Sequence, residues 1–361
     1  MGKLNSRQLC FIVVTTFLIG KLFFLPGLIS GIANEGLLLA SLINYAIDFL
    51  LLLTILFLYK KSGYSSVYDM FNQIYGKHLT RAILVGYAIF FMVKVFIPIL
   101  EEKNSIELTF YESQPNILTY IPIFVITFYI CSKGINAFAR SVEIVIILLV
   151  IGLSIIILLS VSVGDYDNLL PFFAKPPKVI LTASFKTLLW FGDPIYLLFF
   201  IGETKQDKKM PKKLIISFFI SMIVVLIIFT IFYAIFDSIA PRQFYAPIKM
   251  SKYSPTLSNI GRFDYIASLL LSFVSVFQLA MPLMFSSILL AKAFNFKHKC
   301  VSCIIVNLTM CILTLVFENG FFEILQVFQK YIIWGLIAFT YLIPLITAIF
   351  YRNKHYEAKK V

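Results

Sequence analysis

Residues 18–27 read Leu18-Ile19-Gly20-Lys21-Leu22-Phe23-Phe24-Leu25-Pro26-Gly27, and residues 186–195 read Lys186-Thr187-Leu188-Leu189-Trp190-Phe191-Gly192-Asp193-Pro194-Ile195. Each places Gly, Pro and a charge inside a stretch otherwise apolar enough to cross a membrane. In lipid, every backbone N–H and C=O must be satisfied within the protein, so a helix that opens there is tolerated only where it lines a cavity. Matched interrupted spans in two halves of a chain point to the binding site of a secondary transporter.

The surrounding composition agrees. Hydrophobic residues make up 60% of the chain and charged residues 14%, against roughly 25% charged in soluble domains. The runs Ile144 to Gly164, Leu214 to Phe236, Cys300 to Phe317 and Tyr331 to Tyr351 carry no charge. Each meets the requirement of about 18 to 20 apolar residues for crossing a bilayer. The first hydrophobic stretch is long and has no small-x-small cleavage site, so it reads as a span and not a cleaved signal. Gly2 to Ser6 fits the loose myristoylation pattern, but one acyl chain adds little to the anchoring of a polytopic protein.

Ten spans are expected, at about 9–33, 36–59, 82–103, 115–132, 142–163, 179–202, 213–237, 265–291, 300–317 and 328–351. Residues 62–80 read as a short amphipathic helix in the interface, with Tyr64, Val67, Phe71, Ile74 and Tyr75 at helical spacing. Residues 240–262 read as the longest external loop, and Gly320 to Gln329 as a separate short helix. Lys and Arg concentrate in alternate connections, as in Lys60, Lys61, Lys77 and Arg81 and in Lys205 to Lys213. That asymmetry puts both termini in the cytoplasm. Glu101, Glu102, Glu107 and Glu112 are assigned to one outer loop. The net charge of +13 is anchoring charge facing the anionic lipid bilayer, not a nucleic-acid footprint. The expected fold is an all-α membrane protein of ten helices in a single domain over 1–361. Inverted repeats near 1–164 and 165–361 would bring broken helices one and six together at the midplane.

Charges at that depth are costly and normally face a partner inside the bundle. Lys21 and Asp193 lie at similar depth and are expected to meet. The pair either closes the structure, or Lys21 receives a ligand carboxylate and Asp193 a ligand amine. Asp48 and Lys94 are expected to form a second pair, with Asp48 as proton carrier the alternative. Lys186 reaches either the outer face or Asp193, and Glu203 caps an inner ion network. The five cysteines lie in or beside helices, which argues against a disulfide framework. Cys300 and Cys303 with His298 make half a metal site and read as a plain helix start. No catalytic cluster converges at one depth, and no phosphate-cradling loop is present. The sequence thus predicts neither an enzyme nor a cofactor or metal.

Several segments carry a family likeness. Gly134-Ile-Asn-Ala-Phe-Ala-Arg140-Ser-Val-Glu143 resembles the inner-loop signature of the spore germination receptor B subunits. Asp165-Tyr-Asp-Asn168-Leu-Leu-Pro171 is similar to that family's segment after span five. Ser254-Pro255-Thr256 and Gly261-Arg262-Phe263-Asp264 resemble its approach to span eight, and Leu22 to Pro26 its first-span Leu-to-Pro segment. The resemblance implies the amino acid–polyamine–organocation superfamily and its five-plus-five fold. It implies the inner membrane of a bacterial endospore, a small-molecule germinant, and A-type and C-type receptor subunits as partners. By position it places the ligand at Gly20, Lys21, Leu22, Phe23, Phe191, Gly192, Asp193 and Pro194. The family usually has small residues at the first break, where this chain has Lys21, which fills or recharges the pocket. The resemblance favours a receptor subunit. An amino-acid permease, coupled to protons through Asp48 or Asp193, and a scaffold that binds nothing are the alternatives.

Overall fold

The computed structural model describes residues 3–63, 66–110, 116–170, 175–205, 207–252 and 263–357, and those residues are almost wholly helical. In chain order the helices are α1 (Ser6–Ile19), α2 (Leu25–Ala33), α3 (Leu37–Lys61), α4 (Val67–Phe110) and α5 (Asn116–Lys133). They continue as α6 (Ile135–Ser160), α7 (Pro177–Thr187), α8 (Ile195–Phe200), α9 (Met210–Phe236) and α10 (Ala246–Lys252). The last are α11 (Phe263–Phe294), α12 (Lys299–Val316), α13 (Phe321–Val327), α14 (Ile333–Ile337) and α15 (Ile343–Glu357).

These make ten spans in the expected order. The first is α1 with α2 and the sixth is α7 with α8, so both predicted breaks open. The first span starts with a capping box, in which Gln8 accepts the Asn5 N–H at 3.1 Å, and restarts with Pro26 in the first turn of α2. There the missing proline N–H costs no helical bond. The sixth span likewise opens on Pro177. Helix α11 forms the central post and packs on α4, α5, α6 and α12. Helix α1 lies against α6, α9 and α11, while α2 meets α7 and α3.

Three expectations need correction, and one is met. Helix α4 runs to Phe110, so Glu101, Glu102 and Glu107 lie inside a helix, the first two of them buried. They are not loop residues. The short helix expected before span three is present as residues 67–75, set off from the rest of α4 by the non-helical Gly76 at φ +77°. Its Val67, Met70 and Phe71 are buried against the bundle, with Phe71 stacked on Tyr87. The external loop at 240–262 holds α10, whose Ala246, Ile248 and Met250 are buried; Pro255, the Ser254–Thr256 segment and Gly261–Arg262 lie outside the described residues. The short helix at Gly320 is not separate. α13 passes through π-helical turns at Phe328–Ile332 and Ala338–Leu342 into α15, making one long tenth span. Glu112, Pro171, Gly2 and the terminal Lys359 and Lys360 also lie outside the described residues.

Polar contacts gather loops at the two ends. At one end Leu4 donates its N–H to Glu203 O at 2.8 Å and accepts from Lys205 N at 2.9 Å. Arg7 pairs with Glu143 at 2.9 Å, and Lys213 bridges Ser6 and Asp207 at 2.8 Å each. The acids of these ion pairs are Glu143 and Asp207; among the described residues the expected Glu203 makes no ion pair within 4.0 Å. At the opposite end Lys175 lies 3.7 Å from Glu35. This grouping puts the chain start and the connections between spans four and five and six and seven on one side. That is the alternation an even-span bundle requires.

Candidate site at the two broken helices

At the first break the helical ladder stops after Ile19. Lys21 N–H bonds Leu18 O at 3.1 Å, three residues back, and Leu22 N–H bonds Ile19 O at 3.2 Å. That shift leaves Phe17 O without its usual i+4 partner. The Lys21 ammonium supplies the missing hydrogen bond itself, donating to Phe17 O at 3.0 Å. A cation at a helix C-terminus also suits the helix dipole. Gly20 keeps an ordinary φ of −65°, so its lack of side chain serves space and not strain. A Cβ there would sit 2.0 Å from Gln278 Nε2 on α11.

The sixth span opens differently. After a 3₁₀ turn at Leu188–Trp190 the chain is extended at Phe191 and left-handed at Gly192, φ +80°. A side chain at Gly192 is excluded twice over, because its Cβ would also lie 2.4 Å from Thr340 Cγ2. The backbone groups freed here are met by other helices. Lys94 of α4 donates to Phe191 O at 2.5 Å, and Asp48 of α3 accepts the Gly192 N–H at 2.8 Å. The same Asp48 oxygen accepts the Tyr341 hydroxyl at 2.9 Å. Tyr341 and Thr340 lie in the second π-helical turn, a distortion that often marks functional sites.

Between the breaks, Lys21 donates to Asp193 Oδ2, and Lys94 Nζ lies 3.8 Å from Asp193 Oδ1. Lys21, Asp193 and Lys94 are only 1%, 5% and 7% exposed. With Asp48 they form a buried set of two cations and two anions whose charges cancel. Aromatic faces line it: Lys21 Nζ is 5.0 Å from the Phe191 ring centroid and 5.9 Å from that of Tyr45, and Lys94 Nζ is 5.9 Å from that of Tyr196. Such contacts favour cations held away from water.

The expected Lys21–Asp193 contact is therefore present, and Gly20, Phe191, Gly192 and Pro194 surround it. Leu22 and Phe23 are buried beside it, with Phe23 O accepting from Ala246 N at 3.0 Å. Asp48 and Lys94 do not form the direct ion pair expected of them. Among the described residues no Asp48–Lys94 contact falls within 4.0 Å, because each is turned toward a freed backbone group of the sixth break. Lys186 is exposed and takes the outward alternative, away from Asp193. Glu203 lines a separate cavity of about 530 Å³ at the chain-start end, with Lys133, Asn136, Lys292 and Asn295. Sequence reasoning missed Tyr341, Thr340 and Gln278. Gln278 had a readable sign, an amide in the apolar run Phe277-Gln278-Leu279.

Comparison with known proteins bears on the fold first. The chain is similar to a crystal structure of MhsT in complex with L-phenylalanine, with a TM-score of 0.66 and 13% identity, over 97% of this chain and 99% of that one. At that identity the likeness speaks for the fold. It is an amino-acid-transporter fold, a ten-helix inverted repeat with discontinuous first and sixth helices. No curated protein sequence matches the chain. A family model described as spore germination protein, of the spore permease type, matches residues 3–322. The chain, a transporter-like multi-pass membrane protein, thus belongs to the spore germination protein family.

Proposed function

We propose that this protein is the transporter-like subunit of a spore nutrient-germinant receptor, binding a small ligand between the two broken helices. One observation carries the reading: Lys21 and Asp193 bridge the breaks as a buried pair. A zwitterion such as an amino acid offers each of them a replacement partner, its carboxylate for Lys21 and its amine for Asp193. Leu22, Phe23, Phe191 and Pro194 would then shape the side-chain pocket. Exchanging an internal pair for a ligand alters what holds α1 to α8, and a ligand shifts a conformational equilibrium only through such differential contacts. A-type and C-type subunits would read the shift. The protein would sit in the inner spore membrane, with the Arg7–Glu143 end and both termini in the cytoplasm.

A permease is the second reading, favoured by the fold itself. Thermal shifts of the purified protein against amino acids, sugars and nucleosides, beside uptake of the responding compound into proteoliposomes, separate the two. We expect one chemical class to raise the midpoint of the wild-type chain and to lose its effect on Lys21→Ala, without uptake. Uptake by this chain alone would make it a permease. A folded wild-type chain that answers to no compound would leave the scaffold reading.

A further inference from the structure

Two adjacent carboxylates of α4 take no part in the site above. Glu101 and Glu102 are 5% and 3% exposed. Successive helical residues point about 100° apart, and these two separate accordingly. Glu101 accepts the Trp190 indole N–H at 2.8 Å. Glu102 faces the hydroxyls of Ser272 and Ser275 on α11. Ser105, three and four residues further on, projects from the same side of α4 between those two directions and is fully buried.

Among the described residues, two oxygens in this group have no hydrogen-bond partner, Glu102 Oε1 and Ser105 Oγ. Among the described residues no Lys or Arg lies within 4.0 Å of Glu101 or Glu102. Lys103 is held by Glu107 at 2.7 Å, and Lys94 by Asp193 and Phe191 O. A buried carboxylate left so is costly. A proton on Glu102 Oε2, donated to a serine hydroxyl of α11, would remove the charge, yet Oε1 and Ser105 Oγ would both stay unmatched. One cation touching Glu102, Ser105 and the α11 hydroxyls answers both. Carboxylate and hydroxyl oxygens suit a hard cation. Among the described residues no cluster of three or more acidic, His or Cys side chains gathers to match a divalent charge.

We infer that Glu102, Ser105, Ser272 and Ser275 form a sodium site between α4 and α11. It requires no ligand at Lys21 and stands apart from the proposed function. It also has a mechanical connection to the sixth break, because the neighbouring Glu101 holds Trp190, the residue before Phe191.

The test is saturable binding of radiolabelled sodium to the purified full-length chain, with thermal midpoints in sodium chloride and in choline chloride of equal ionic strength. Sodium should raise the midpoint in a saturating manner, as a ligand of the folded state does. Glu102→Gln keeps the side-chain shape and removes the charge. It should weaken apparent sodium affinity by at least the roughly 10–100-fold that losing a mere supporting partner of a metal site costs. Ser105→Ala and Ser275→Ala should weaken it less. No saturable binding, unchanged affinity in Glu102→Gln, an equal response to choline, or a response to calcium or to falling pH alone would overturn the site. Size-exclusion profiles check that Glu102→Gln folds. If it does not, unchanged sodium affinity in both serine variants overturns the proposal, and weakened affinity in both supports it.

Discussion

The two breaks solve one problem in opposite ways. At the first, the chain serves itself: Lys21 leaves the ladder and its own ammonium returns to the carbonyl that its departure freed. At the sixth, the chain is served by others, since Phe191 O and Gly192 N–H are met by Lys94 and Asp48 from α4 and α3. The first break is thus a local feature that a short stretch can encode. The sixth exists only once three helices and the π-helical turn of a fourth have assembled. Among the described residues the ion pair joining the two halves of the site is Lys21 to Asp193, and Asp193 answers two cations where Lys21 answers one anion.

The asymmetry is sharpest at Asp193. Asp193→Asn leaves Lys21 and Lys94 without their shared counter-charge in a buried site. Stranding a buried charge in this way costs about 3–5 kcal/mol. The expected result is the largest fall in thermal midpoint of any single change at the site. Adding Lys21→Met should recover part of it, because that removes one stranded cation and fills similar volume. If the double variant is no more stable than Asp193→Asn, the breaks are not coupled through this pair.

The glycines give the next largest contrast. Gly192→Ala forces a left-handed residue to carry a side chain, about 1–2 kcal/mol, and drives its Cβ into Thr340. Gly20→Ala meets only the end of the Gln278 side chain, which can rotate aside. The sixth-break variant should therefore lose clearly more stability than the first-break variant. Equal losses would show that Gln278 is held as rigidly as Thr340.

Much of this was legible in the sequence, for reasons that follow from the same asymmetry. Gly, Pro and a charge inside an apolar run declare an opened helix, so both breaks and the Lys21–Asp193 meeting could be read from composition and depth. The helices that close the sixth break could not. Nothing in the periodicity of α3 or α4 says that Asp48 and Lys94 turn to backbone groups and not to each other. Tyr341 looks like any other aromatic in a chain where 16% of residues are aromatic. The π-helical turns that bring Thr340 and Tyr341 to Gly192 leave no mark in an apolar run, which is why the tenth span read as two pieces. Hydropathy falls where Glu101 and Glu102 begin, which reads as a loop, although the helix continues for two more turns.

A smaller effect isolates the support from the tenth span. Tyr341→Phe removes one of two donors to Asp48 while keeping the ring. The Gly192 N–H bond remains, so the expected loss is about 1 kcal/mol, that of one net hydrogen bond. A loss as large as that of Gly192→Ala would mean that Tyr341 positions Asp48 for the break and does not merely add a bond.

The smallest effect is expected at Lys186, and it tests whether the sixth break depends on outside helices alone. This lysine lies on the same span, less than two turns before Phe191, and could in principle neutralise Asp193 from within its own chain segment. It is instead exposed, and the ion pairs of Asp193 within 4.0 Å among the described residues are with Lys21 and Lys94. Lys186→Ala should then change the thermal midpoint by no more than an exposed substitution does, within about 0.5 kcal/mol. Lys94→Ala, measured beside it, should cost several times more, since it strips Phe191 O of its donor and Asp193 of its second cation. Comparable losses from the two lysines would mean that the sixth break, like the first, is served by its own segment, and the contrast between the two halves of the site would be gone.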